Sequence, residues 1–253
     1  MTWIAFDTET TGLEPGSRLV ELAAVAFADD GTVLDTFASL ANPGMPMPSD
    51  ATNANGITDA QVAEAAPTEQ VLGRFLDWLP SDGVLIAHNA RYDEGILTWE
   101  CQRAGLALPT LPLVDTKAMA QRLRDAANQR LQTLVQYHGI VVSGDAHRAL
   151  PDADAVRQYF LLAHQRTTPS PRPWQVGYAY IAALPAHVAT LPWHIANGMP
   201  LRFRYCNQAG KTSTPTVIPY GWAELSSGRV LMHGWCTWAK ARRNFDVSRM
   251  MAA

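Results

Sequence analysis

Cysteine is scarce: Cys101, Cys206 and Cys236 are the only three in 253 residues, and none forms a CxxC pair. A sparse, odd set argues against a disulfide framework and fits reduced thiols in a cytosolic protein. Long apolar runs are missing as well. No stretch approaches the roughly 18 to 20 residues needed to cross a bilayer, so no membrane partner is expected. The opening MTWIAFDTET has neither a basic n-region nor a signal-type apolar core, which predicts a cytoplasmic protein. Internal repeats and low-complexity tracts are absent. What remains is ordinary: 47% hydrophobic and 17% charged residues predict an ordered globular chain, long enough for one large domain or a medium and a small one.

Charge is unevenly spread. From Arg172 onward nine basic residues face two acids, a net +7, which leaves −10 on the residues before it out of a total of −3. An acidic body suits bound cations and a basic tail suits a polyanion, although a solvated cationic surface would give the same count.

Residues 2–7 (TWIAFD) read as a buried strand, and RLVELAAVAFADD with TVLDTFASLANP as two more, joined by a turn at Asp29-Asp30-Gly31. From Thr58, a candidate N-cap, the spacing becomes helical, with Val62, Val71, Phe75, Leu76 and Leu79 on one face. VLIAHN after Gly83 reads as a strand feeding a helix near Arg91, and further helices are predicted over 116–123, 131–137 and 153–164. A mixed α/β sheet flanked by helices follows. TTPSPRP (167–173) holds three prolines in seven positions and cannot continue a helix. The expected organisation is therefore a domain over 1–166, a linker over 167–176 and a small antiparallel β module over 177–253, whose short runs LRFRY, TPTVIPYGWAEL and RVLMHGWCTW are separated by turn signals.

Asp7 and Glu9 are two apart at the end of the first strand, so their carboxylates share a face. Such proximity is costly unless a cation sits between them, yet strand ends often carry exposed acids for no special reason. Asp93, in HNARYD, follows the buried VLIAHN strand, where α/β sheets place ligands; it would also suit the first turn of a helix. In HRALPD, Pro151 fits the first turn of a helix, which puts Asp152 near its N-terminus and His147 in the loop before it, placed to take a proton from water. Asp154 competes with Asp152 but points away on a helix.

Together FDTETTGL, HNARYDEGIL and HRALPDADA resemble the three ordered motifs of the DEDDh 3′–5′ exonuclease family, the DnaQ-like proofreading type, over about residues 2–165. One departure is ANGIT at 54–58, where many relatives have a histidine before the glycine. The resemblance implies a ribonuclease H-like fold and two Mg²⁺ ions, with Mn²⁺ able to substitute. It implies Asp7, Glu9, Asp93 and Asp152 as metal ligands, Asp93 mainly through water, and His147 as general base. It also implies contacts from Thr10, Gly12, Leu13, His88, Asn89 and Tyr92 to the terminal nucleotide, Leu13 as a wedge against its base. Nucleoside 5′-monophosphates would leave the 3′ end of DNA, single-stranded or frayed.

LRFRYCNQAGK, TVIPYGW and RRNFDVSRM resemble the WYL domain over roughly 198–250, which implies a small SH3/Sm-like barrel. Val230-Leu231-Met232 stands where the family's Trp-Tyr-Leu would be. Arg202, Arg204, Arg242, Arg243 and Arg249 are the candidate contacts to nucleic acid or to an anionic regulatory ligand, with aromatic faces available for stacking and at least half of the aromatics expected in the core. An exoribonuclease and a non-catalytic, nucleic-acid-responsive regulator are the alternatives. Self-association through a sheet edge stays open.

Overall fold

The computed structural model describes residues 1–12, 17–124, 126–144, 147–174, 184–224 and 229–252, without the side chains of 196, 220, 221, 223, 224 and 242. Contacts divide the chain into two compact units: Met1–Gly12, Arg18–Glu100 and Ala107–Trp174 make the first, and most of the second follows Trp174.

The first unit opens with β1 (Thr2–Thr10), β2 (Leu19–Phe27) and β3 (Val33–Leu40). Every residue of β2 is buried, which suits a strand covered on both faces between two neighbours. The turn at Asp29-Asp30-Gly31 closes as expected, with Ala28 N–H donating to Thr32 O at 2.9 Å. Three helices follow: α1 (Ser49–Asn55), α2 (Asp59–Ala63) and α3 (Thr68–Trp78). Thr58 does cap α2, in a reciprocal capping box with Gln61. The single helical run expected from Thr58 is instead two helices, because Pro67 has no N–H to continue the ladder and stands as the N-cap of α3.

β4 (Gly83–Ala87), α4 (Arg91–Ala104), β5 (Leu113–Asp115), α5 (Thr116–Leu123), α6 (Leu131–His138) and α7 (Ala149–His164) complete the unit. The sheet order is β3-β2-β1-β4-β5. β1 is antiparallel to β2 and parallel to β4, and β4 is parallel to β5. Because β1 and β4 run the same way, their C-terminal ends, which carry FDTET and HNARYD, emerge at one edge of the sheet. Gly83 lets these strands begin in close contact: a Cβ there would lie 2.3 Å from Ile4 Cδ1 and would force that buried side chain to shift.

Alternation along β1 assigns its two faces. Trp3 and Ala5 join a core with Met119, Leu134, Val156, Tyr159 and Phe160 of α5, α6 and α7. Phe6, on the other face, meets Phe75 of α3 and Trp174. Asp7 and Glu9 continue the parity of Ala5 and therefore face the α7 side, while Thr8 faces the other.

The segment after α7 does not leave the first unit at once. Arg172 exchanges two backbone hydrogen bonds with Leu113 of β5, at 2.7 and 3.0 Å. Its guanidinium forms a bidentate pair with Glu94, at 3.0 and 2.8 Å. Trp174 is buried, and its Nε1 donates to Thr98 Oγ1 at 3.2 Å.

The second unit contains α8 (Leu191–Ala196), β6 (Leu201–Cys206), β7 (Thr212–Ser213), β8 (Thr216–Glu224), β9 (Val230–Cys236), β10 (Ala241–Asp246) and β11 (Met250–Ala252). These strands form an antiparallel sheet of order β10-β9-β8-β6-β11, with β7 paired to β6. Phe203, Val217, Trp222, Met232 and Phe245 make its core, whereas Trp238 is exposed.

Candidate active site

Asp7, Glu9 and Asp152 each offer a carboxylate oxygen within 4.8 Å of the others. β1 supplies two of them through its period-two alternation, and α7 supplies the third from its first turn. His147 N–H donates to Asp152 Oδ2 at 3.1 Å, and Gln132 Nε2 of α6 donates to Oδ1 at 3.3 Å. Asp93 stands apart from that trio. It is 3% exposed, and its Oδ1 accepts from the backbone N–H of Thr8 at 3.1 Å and the Thr8 hydroxyl at 2.7 Å. Thus the two residues flanking Thr8 point at Asp152, while Thr8 itself ties α4 to β1.

The electrostatics of this cluster are adverse without a cation. Burial, then the charges of Asp93, Glu9, Asp152 and Glu21, hold the Asp7 carboxyl well above the usual range. Burial, then Asp152, Glu21 and Asp93, push Glu9 up to about 7 against an opposing hydrogen bond from Asn55. Burial also pushes Asp93 up to about 7, although the bonds from Thr8 favour its ionised form. Asp152 is raised by burial and eased by the bond from His147. Like charges held close in a partly dry site behave this way, and an opposite charge between them reverses it.

Neighbouring acids are handled differently. Glu21 accepts from Arg148, Glu94 from Arg172, Glu100 from Arg18 and Asp154 from Arg157. Asp7, Glu9, Asp93 and Asp152 have no arginine or lysine partner among the described residues. An all-oxygen donor set, crowded and left without a cationic side chain, fits a hard divalent metal.

Around the cluster, Tyr92 OH lies 2.6 Å from Thr10 Oγ1 and donates to Gly12 O at 3.1 Å, which fixes the end of β1. Burial raises the Tyr92 hydroxyl to about 12, so it stays protonated. Asn89 is exposed with φ 65°, its amide oxygen accepting from Lys117 Nζ at 3.1 Å. His88 is a bridge within the protein: its ring nitrogens lie 3.0 Å from Thr116 Oγ1 and 2.8 Å from Gln129 O. His147 is exposed at φ 62°, just before α7. Leu13 lies outside the described residues. In the second unit, Arg202 and Arg204 share the exposed face of β6, Arg243 is exposed on β10 at the end of the sheet, and Arg249 is 3.8 Å from Asp246. The side chain of Arg242 is outside the described residues.

Thr8, Glu21, Asn55, Gln132 and Arg148 were not singled out by sequence. Glu21 had a readable signal: it is the one charged residue inside an otherwise apolar nine-residue strand, and pairing the hairpin sets it opposite Glu9.

The family model for the Exonuclease domain (RNase_T) matches residues 4–160, which covers all three acidic motifs. The chain belongs to this exonuclease family. The model for the WYL domain matches residues 186–253, the whole second sheet. Among curated proteins, the PolC-type DNA polymerase III of Bacillus cereus is 35% identical over 156 residues, 61% of this chain and 11% of that protein. The counterpart in Oceanobacillus iheyensis is 38% identical over the same length. The chain therefore spans about a tenth of the curated relatives it matches. Among solved structures, the nuclease domain of 3′hExo, a DEDDh family member bound to rAMP, superposes with TM-score 0.60 at 18% identity, over 68% of this chain and 95% of that one. Exonuclease X with 5′-overhanging duplex DNA gives 0.54 at 24% identity, over 65% and 92%. These likenesses establish a ribonuclease H-like fold. Among the described residues, no helix is long and apolar enough to cross a membrane.

Proposed function

We propose that this protein is a metal-dependent 3′–5′ exonuclease that releases nucleoside 5′-monophosphates from the 3′ end of DNA, preferentially single-stranded. The observation that carries the reading is the convergence of Asp7, Glu9 and Asp152 within 4.8 Å, with no arginine or lysine paired to any of them among the described residues. Asp7, Glu9 and Asp152 would hold two divalent ions, Mg²⁺ or Mn²⁺, and Asp93 would act through water from its seat on Thr8. Bound there, the ions supply the positive charge that activates a water and neutralises the leaving oxygen of an in-line displacement.

The chain's own groups do the rest. His147 accepts the proton of the attacking water at a ring nitrogen, and its exposure lets it pass that proton on to solvent. Thr10, Gly12 and Asn89 border the terminal nucleotide, and the Tyr92 hydroxyl keeps the Thr10–Gly12 segment in place. His88 supports this rim from within the fold. We assign this chemistry to the unit that ends at Trp174 and polyanion binding to the basic module over 177–253, with Arg202 and Arg204 on its exposed face. The PolC-type relatives are DNA polymerases, which favours DNA over RNA as the polymer.

The test is digestion of matched 5′-labelled single-stranded DNA and RNA with Mg²⁺ or Mn²⁺, wild type beside Asp7→Ala. A metal-dependent ladder shortening from the 3′ end, stronger on DNA and absent in the variant, is expected. Equal ladders from wild type and Asp7→Ala, or none from either polymer, would overturn the proposal.

A further inference from the structure

We infer that Glu21 and Arg148 form a clamp that holds His147 over the carboxylate cluster, and that both are positioning residues for the reaction proposed above. The inference rests on the reading of His147 as general base. It starts from an imbalance: the His147 ring makes no hydrogen bond among the described residues, so the placing of its backbone sets which region the ring can reach. That backbone is in the left-handed region, which a histidine keeps only when its surroundings hold it there.

Two anchors do so. On one side, His147 N–H donates to Asp152 Oδ2 at 3.1 Å. On the other, the next residue, Arg148, donates from Nη2 to Glu21 Oε1 at 2.6 Å and from Nε to Oε2 at 3.0 Å. The backbone N–H of Ala149, which opens α7, donates to the same Oε2 at 2.9 Å. Three donors from consecutive residues thus converge on one carboxylate. A planar fork on a carboxylate fixes orientation as well as distance, which a lysine would not.

Glu21 is well placed to anchor anything over the cluster. In the hairpin register it stands directly opposite Glu9, so a group fastened to it lies beside the acids of β1. It is buried, in a strand of the sheet's interior that has little freedom to shift. Both Glu21 oxygens accept from Arg148 or Ala149, and its carboxylate is not among the three that converge within 4.8 Å, so it serves as an anchor. The Arg148 guanidinium offsets part of the repulsion between Glu21 and Glu9, although the charge of Glu21 still helps to raise the Glu9 carboxyl.

Glu21→Gln in the full-length protein tests this, because glutamine keeps the size and loses the charge and one acceptor. With saturating Mg²⁺, kcat is expected to fall by about tenfold to a hundredfold, with KM within about twofold, as for a displaced catalytic group. Arg148→Lys should fall between the two. The discriminating arm is Glu21→Gln combined with His147→Ala: it should be no slower than His147→Ala alone, because there is no ring left to position. Wild-type kcat in Glu21→Gln, or losses that multiply in the double variant, would overturn the clamp while leaving the exonuclease reading intact. Wild-type kcat in His147→Ala would instead sink the general-base assignment and the clamp with it. Hydrogen exchange at the Ala149 amide gives a readout independent of turnover: it should quicken in Glu21→Gln, and unchanged protection would also overturn the inference.

Discussion

Replacing Trp174 with alanine asks whether the proline-bearing segment is a tether or a part of the nuclease. The ring is 7% exposed and lies 6.3 Å from that of Phe6, at 23° to it. Phe6 immediately precedes Asp7, and Thr98, which accepts the indole N–H, shares α4 with Asp93. A tether would contribute almost nothing, within about 0.5 kcal/mol for an exposed change. A buried tryptophan reduced to alanine costs about 3–5 kcal/mol. In a unit of this size each kcal/mol shifts the midpoint by about 2–4 °C, so Trp174→Ala should lower Tm by roughly 6–20 °C. Pro171→Ala and Pro173→Ala, both at exposed positions, are the controls and should melt with the wild type.

The same reasoning separates two truncations. A chain ending at Thr168 loses Trp174, both backbone bonds to Leu113 and the partner of Glu94, whose side chain is only 5% exposed. A chain ending after Trp174 keeps all of them. The first should melt well below the second and lose activity on short oligonucleotides; the second should keep that activity and bind long strands more weakly. Thermal melting followed by fluorescence or circular dichroism decides the matter. A Trp174→Ala midpoint within about 2 °C of wild type would refute the argument, since no buried indole is that cheap to remove.

Two further outcomes follow from the cluster. In metal-free protein, Glu9 holds a proton up to about pH 7 when folded but only to its ordinary 4.5 when unfolded, so stability is present below 4.5 and is lost as pH rises towards 7. For Glu9 the loss is about 3 kcal/mol, and Asp7, Asp93 and Asp152 act in the same direction. The apo midpoint should therefore fall between pH 5.5 and pH 8, with Mn²⁺ raising it more at pH 8; a midpoint that is flat or rising over that window contradicts the reading. Thr8→Val removes the hydroxyl that favours ionised Asp93, at nearly constant volume. It should lower kcat by about tenfold and move the acid limb of the pH–rate profile upward, and an unmoved limb would show that Thr8 does not set that ionisation.

Sequence carried β1, β2 and β4 because each is a largely buried apolar run, carried the exposed β3 through the turn before it, and missed the three-residue β5, while α5 falls on the residues predicted for it. It did not carry α1, whose residues Ser-Asp-Ala-Thr-Asn-Ala-Asn form helix weakly and show no apolar period. It blurred α2 into α3, although Pro67 was a legible break. The acids of the cluster were readable because strand alternation and a helix start give them local geometry. Their supports were not: Arg148 meets Glu21 across 127 positions, Arg172 meets Glu94 across 78 and Arg18 meets Glu100 across 82. Nothing local in a sequence marks a partner that only tertiary folding supplies.

Those distant arginines also explain how four acids stay available for cations among so many others. Asp93 and Glu94 are adjacent, yet one is seated on Thr8 and the other neutralised by Arg172. Glu9 and Glu21 face each other across a hairpin, yet only Glu21 has a guanidinium. Setting aside the arginine-paired acids, and Asp115, which caps α5, the cluster itself consists of Asp7, Glu9, Asp93 and Asp152, a formal −4 when all are ionised. Two divalent ions match that charge, whereas one would leave two buried carboxylates uncompensated and then bring a phosphodiester, itself anionic, against them. Electroneutrality thus favours two ions over one in the substrate-bound site, independently of any relative. Titration of the apo protein with Mn²⁺ should accordingly saturate at two equivalents in the presence of a 3′-terminal nucleotide. Saturation at one would mean that a second buried carboxylate stays protonated, and the site would then lack the charge that an in-line displacement needs on its leaving side.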